Sequence, residues 1–150
     1  MSGNIWVALP LACLAGGAFG VYLIARLVTR NNGVLAAFTA SIFAAALATL
    51  VVLQSMVQVT SLPSWGHFSP GGAFLRADPG ATVIASIALG LGLLVSIYSG
   101  RYLALDRRYE TYYPLLLLLT TGLVGMLLAA DLFNLYMFCE LMSPTAYDLA

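Results

Sequence analysis

The sequence predicts an all-α integral membrane protein with about five spanning helices. Three observations carry that prediction. Hydrophobic residues fill 61% of the 150 positions, and charged residues only 8%, against roughly a quarter in soluble proteins. The few charges fall between apolar runs long enough to cross a bilayer, which takes roughly 20 residues of helix. None of these runs alternates as a strand would, and in hydrocarbon a helix satisfies its backbone groups within its own segment.

The first run is Ile5 to Val28, interrupted by Arg26 near its end. It has no basic leader, and its 21 uncharged residues from Ile5 to Ala25 are too many for a signal-peptide core, so it reads as a spanning helix. Val34 to about Val59 follows, 26 residues without a charge. Thr60 to Pro79 holds Pro63, Pro70, Gly71, Gly72 and Pro79, too many breakers for regular structure, and reads as a loop. The third run, Gly80 to Gly100, is preceded by Asp78-Pro79, a cap and a first-turn proline. Tyr113-Pro114 is expected to open the fourth helix, within Tyr112 to Ala130, in the same manner. Leu132 to Ala150 is the fifth, with Asp131 marking the turn before it and capping it.

Arginine placement orients the bundle. The first connection carries Arg26 and Arg30, the third carries Arg101, Arg107 and Arg108, the second has Arg76 alone and the fourth has none. Positive loops stay inside, which puts the amino terminus and the Thr60–Pro79 loop outside. Small residues predict where helices approach closely: the Gly16/Gly20 pair in the first helix, Ser86, Gly90, Gly92 and Ser96 in the third, Gly122 and Gly125 in the fourth.

Charge and motif content exclude several functions. Six arginines balance six acids and there is no lysine, so no basic surface exists to follow a nucleic-acid backbone. Cys13 and Cys139 lie in apolar stretches without CxxC spacing or a nearby histidine, which argues against a disulfide framework or a zinc site, and no metal or cofactor is expected. No nucleophile–base pair suggests a catalytic centre. His67 stands beside Trp65 in the loop and reads as a surface histidine. Gln54 and Gln58 share a helix face, and Thr120 and Thr121 are placed to bond back to their own backbone.

One residue stands out. Asp78, Asp106, Glu110, Asp131 and Asp148 fall at helix ends or in loops, whereas Glu140 lies inside the fifth run. From a start near Leu132, a rise of 1.5 Å per residue carries it roughly 12 Å into a core about 30 Å thick. An ionised carboxylate there costs at least about 2.5 to 3.5 kcal/mol, so it must be neutral, paired or wetted, and such acids are functional by default. Tyr136, Ser143 and Tyr147 fall within about 60° of it around the helix, forming a polar stripe. Pro144, four residues on, has no N–H to give the carbonyl of Glu140, which leaves an acceptor beside the carboxylate. Asp131 is a second candidate, for proton uptake.

The run Tyr112-Tyr113-Pro114, the stretch Asp131-Leu132-Phe133-Asn134-Leu135-Tyr136, then Phe138, Glu140-Leu141-Met142 and Tyr147 resemble the antiporter-like membrane subunits. Respiratory complex I, Mrp-type cation/proton antiporters and membrane-bound energy-converting hydrogenases share that family, and the likeness is nearest to the Mrp D-type and hydrogenase branch. Tyr98-Ser99-Gly100-Arg101-Tyr102 fits the family's third helix. The resemblance is strong from about Asp78 onward; Met1 to Arg76 matches only in having two hydrophobic helices. It implies a division into 1–77, two leading helices and an outer loop, and 78–150, a third helix plus the first two helices of an antiporter-like repeat.

It also implies that Glu140 is the proton-translocating glutamate of the fifth helix, which in the family pairs with a lysine on a later, broken helix. Because this chain has no lysine, the resemblance implies a fragment or a split subunit whose ion pathway is completed elsewhere. The expected function is proton or Na+/H+ translocation in the membrane arm of a multisubunit complex in the cell's inner (plasma) membrane. Other integral membrane subunits, lipid, protons and sodium are the expected partners. The competing expectation is a structural subunit of such a complex that does not conduct.

Overall fold

The computed structural model describes residues 3–27, 32–59, 75–76, 78–103 and 109–150. His67, Trp65, Pro63, Pro70, Arg30, Asp106, Arg107 and Arg108 lie outside them, as does the side chain of Gln58. The described chain is all-α: α1 (Gly3–Leu27), α2 (Asn32–Val59), α3 (Pro79–Tyr102), α4 (Tyr109–Leu128) and α5 (Leu132–Leu149). The first four helices hold stretches of 20, 24, 24 and 19 residues long and apolar enough to cross a membrane. The fifth is 18 residues, about 27 Å, and carries Asn134, Glu140, Ser143, Pro144 and Asp148, which make it too polar to face lipid on all sides.

Helices α1 to α4 close a ring in which each packs on the next and α4 returns to α1. Helix α5 lies outside this ring, seated on α4. The centre of the ring is filled by Leu14, Val21, Leu35, Phe43, Leu50, Leu89, Leu117 and Val124, all fully buried. Outward faces are apolar too, as with Ile84, Ile87, Leu91, Leu94 and Ile97 on α3, the pattern of a bundle solvated by hydrocarbon.

Close approach depends on glycine at particular places. A Cβ at Gly92 would stand 2.6 Å from the Phe43 ring, one at Gly17 2.6 Å from Ile42, and one at Gly100 2.8 Å from Ala36. Gly122 and Gly125 receive Met142 and Phe138 of α5. The Gly16/Gly20 pair corrects the expectation drawn from its spacing: a Cβ at either would meet no atom of the described residues within 4 Å, because the packed side of α1 is the one that carries Gly17. Gly90 is likewise open, while its neighbours Gly92 and Ser96 are buried.

The helix starts test the cap readings. Pro79 opens α3 with Asp78 in the cap position, although its side chain makes no capping bond. Asp131 caps α5, its carboxylate accepting from the Asn134 backbone N–H at 3.0 Å. Pro114 does not open α4. That helix starts at Tyr109 and takes the proline inside, since Pro114 forfeits just one bond, to the carbonyl of Glu110, near an end where N–H groups lack helical acceptors in any case. Thr120 and Thr121 do bond back, to the carbonyls of Leu116 and Leu117.

Two ends are thereby defined. At one, the Arg76 N–H donates to the Leu128 carbonyl at 2.7 Å, tying the chain before α3 to the end of α4, next to Asp131. At the other lie Arg26, Asn32, Arg101, Glu110 and Asp148, the last turns of α1, α3 and α5 and the first of α2 and α4.

Candidate functional site

The site is built on α5. Asp131 starts the helix and Glu140 is the ninth of its 18 residues, so the carboxyl stands about 12 Å from the first helical residue. The helix runs through Pro144 without interruption. Ser143 donates to the Cys139 carbonyl at 3.0 Å, and Thr145, the one buried residue of α5, donates to the carbonyls of Leu141 and Met142 at 2.9 and 2.8 Å.

The α4 interface fixes which way Glu140 points. Phe138 and Met142 fit against Gly125 and Gly122, and Thr145 continues their stripe. Each of Phe138 and Met142 is two positions from Glu140, about 200° around the helix. Glu140 is therefore on the face opposite α4 and is exposed, together with Tyr136, Ser143 and Tyr147. Within this stripe the Tyr136 hydroxyl hydrogen-bonds the Glu140 carboxylate. Phe133 and Met137 flank it as exposed apolar residues.

Asp131 is not part of this cluster. It sits nine residues away, about 13 Å along the axis, where its carboxylate is engaged as the cap.

A second polar assembly has no signature in the sequence. At the arginine-bearing end, the buried phenol of Tyr113 donates to Asn32 Oδ1 at 2.7 Å, and Asn32 Nδ2 donates to the Gly100 carbonyl at 3.1 Å. Ser96 crosses from α3 to the Ala36 carbonyl of α2 at 3.3 Å, and Ser99 bonds Ser96 at 3.0 Å. Among the described residues no buried side-chain polar atom is left without a partner, as a bundle in hydrocarbon requires. Asn32 and Tyr113 are 81 residues apart, so no local pattern signals their pairing.

This chain matches proteins with a shared theme in their names. It is 30% identical over 97% of its length to the D-type subunit of the Na(+)/H(+) antiporter of Bacillus subtilis, and 40% identical over 53% of its length to the N-type subunit of the NADH-quinone oxidoreductase of Desulforudis audaxviator. It is also 28% identical over 96% of its length to the chloroplastic NAD(P)H-quinone oxidoreductase subunit 5 of Lolium perenne. The chain is homologous to the antiporter-like membrane subunits. It spans 29%, 16% and 21% of the lengths of these three relatives. The similarity to antiporter-like subunits thus extends through α1 and α2, beyond the stretch after Asp78 where the motifs lie. No family model and no solved structure matches the chain.

Proposed function

We propose that the chain is part of a cation-translocating membrane subunit, carrying protons or exchanging sodium for protons in the membrane arm of a multisubunit complex. Glu140 is its proton carrier. The observation behind this reading is the placement of Glu140 at the middle of α5, on the face turned away from α4. An acid at that depth, uncovered by its own bundle, meets lipid, water or a group from another segment. Lipid is the costly choice. A cation brought within about 4 Å gains roughly 4 kcal/mol at an effective dielectric near 20, enough to hold the carboxylate ionised. Withdrawing that cation favours uptake of a proton on a carboxylate oxygen, and alternation between the two states moves one proton per cycle.

The rest of the stripe has supporting roles. Tyr136 orients the carboxylate through its hydrogen bond, and Ser143 and Tyr147 continue hydroxyl groups toward the arginine-bearing end. Pro144 withholds the N–H that would engage the Glu140 carbonyl, leaving that oxygen to hold water. The names of the relatives support the ion-translocating class. In this reading the arginine-bearing end faces the cytoplasm of a cell whose inner (plasma) membrane holds the protein, with the amino terminus outside.

The test is transport by membranes containing the assembled Glu140→Gln protein. The substitution keeps volume and most hydrogen bonding but removes the exchangeable proton. Proton or sodium transport should be lost with assembly intact, and Glu140→Asp should retain part of it. Full transport by correctly assembled Glu140→Gln protein would establish the structural alternative instead.

A further inference from the structure

We propose that Asn32 and Tyr113 are positioning residues for Glu140, acting through α4. The proposal rests on the reading of Glu140 as carrier and adds to it the contact that holds the carboxyl in place.

Glu140 has no seat of its own on the ring. Among the described residues α4 is the one substantial neighbour of α5, with Phe138 and Met142 set against Gly125 and Gly122. Wherever α4 turns, α5 follows. The two axes stand about 8 to 10 Å apart and a side chain on the far face of α5 adds about 5 Å, so Glu140 rides on an arm of about 14 Å. A turn of α4 by about 10° moves the carboxyl about 2.5 Å.

Few directed contacts set that turn. The ring side of α4 is largely apolar, with Leu116, Leu117, Val124 and Leu128, and packing between such residues fixes orientation through shape alone. The buried hydroxyls midway, Thr120 and Thr121, donate to carbonyls of α4 itself. Among the described residues, directed bonds from α4 to other segments gather at its two ends. At the outer end the Leu128 carbonyl accepts from the Arg76 N–H. At the arginine-bearing end the Tyr113 phenol donates to Asn32 of α2, Asn32 donates to the Gly100 carbonyl of α3, and Tyr112 and Tyr113 hydrogen-bond Ser99. Tyr113 and Leu128 are about 22 Å apart along the helix, and Gly122 and Gly125, the seat of α5, lie between them. Held at both ends, the arm is fixed; held at Leu128 alone, it swivels. Asn32 is the residue that joins α4 to α2 and α3 at once, so its removal loosens both joints.

The test measures where α5 stands and how fast the assembled protein transports. Spin labels at Ile87→Cys on α3 and Met137→Cys on α5, with Cys13 and Cys139 replaced, give the distance between the two helices; transport is measured without labels, per assembled protein. Tyr113→Phe and Asn32→Ala should each shift or broaden that distance by about 2 Å. Moving the carboxyl from about 4 to about 6.5 Å from its cation weakens the attraction by about two-fifths, which should slow transport about tenfold. Because both substitutions open one joint, the double variant should be no worse than Asn32→Ala alone. Ser96→Ala is the control: it removes a hydrogen bond between α3 and α2 that does not touch α4, and should leave distance and rate unchanged. An unmoved α5 in Tyr113→Phe, an equal displacement in Ser96→Ala, or a displaced α5 with full transport overturns the proposal. Glu140→Gln separates the two readings. If it abolishes transport while Tyr113→Phe changes neither distance nor rate, the carrier stands and the positioning role falls; if Glu140→Gln transports fully, the carrier falls and takes the positioning role with it.

Discussion

The phenol of Tyr113 donates to the side-chain oxygen of Asn32 at 2.7 Å, and through the second bond of Asn32 to the Gly100 carbonyl this contact joins α4, α2 and α3 at one end of the bundle. Both partners are buried. Tyr113→Phe removes the donor and keeps the ring, so it should cost about 0.5 to 2 kcal/mol, the span found for interhelical hydrogen bonds in membranes. Asn32→Ala should cost more, because it strands both the phenol and the carbonyl. Unfolding in mixed detergent micelles measures this; a Tyr113→Phe protein as stable as the unsubstituted one would show that the clasp contributes nothing.

Gly125 and the Gly16/Gly20 pair should behave oppositely although all three look like packing notches in the sequence. Gly125→Leu collides with the Phe138 ring and should destabilise the α4–α5 pair by about 1 to 3 kcal/mol. Gly16→Ala and Gly20→Ala meet open space in the isolated chain and should be neutral, or stabilising by up to about 1 kcal/mol through helix propensity. The same unfolding assay decides: equal losses at all three positions would place the α1 notch in contact with something within the chain.

The contrast explains what could be read in advance. Helix number and most boundaries follow from apolar runs between charges, a signal that hydrocarbon imposes on every spanning segment, and the Asp131 cap follows from residue type and position. Glu140 was legible because a mid-helix acid is rare whatever surrounds it. Which face of a helix packs was not legible: α1 is apolar all round, so periodicity cannot choose between Gly16 and Gly17, and only the position of Ile42 does. Pro114 was misplaced for a related reason, since Tyr109–Tyr113 can continue the helix backwards from a proline that costs a single bond. The Asn32–Tyr113 clasp depends on residues brought together by tertiary structure alone.

For Asp131 a cap and a proton-uptake role predict different mutant behaviour. Asn caps as well as Asp but cannot carry a proton, whereas Ala does neither. If Asp131 serves as a cap, Asp131→Asn should leave stability and transport unchanged, and Asp131→Ala should lose roughly 0.5 to 2 kcal/mol of stability. A stable Asp131→Asn protein with slowed transport would return Asp131 to the proton path.

The outward faces of α3 and α5 should meet different surroundings in the assembled protein. On α3 the exposed face from Val83 to Ile97 is aliphatic, with Ile84, Ile87, Leu91 and Leu94, which lipid solvates at no cost, and its exposed tyrosines, Tyr98 and Tyr102, lie only in the last turns. On α5 the exposed residues include Tyr136, Glu140, Ser143 and Tyr147, with Tyr147 85% exposed, and lipid offers these hydroxyls and this carboxylate no partners. Another membrane segment should therefore cover α5 and leave α3 bare. Spin labels at Ile87→Cys and Tyr147→Cys, with Cys13 and Cys139 replaced, test this through collision with oxygen, which partitions into hydrocarbon. The label on α3 should collide freely in the complex, and the label on α5 should be protected there and exposed when the chain is isolated in detergent. If Tyr147 remains as accessible as Ile87 in the complex, no segment covers that face, and the cation proposed to pair with Glu140 would have to arrive through water alone.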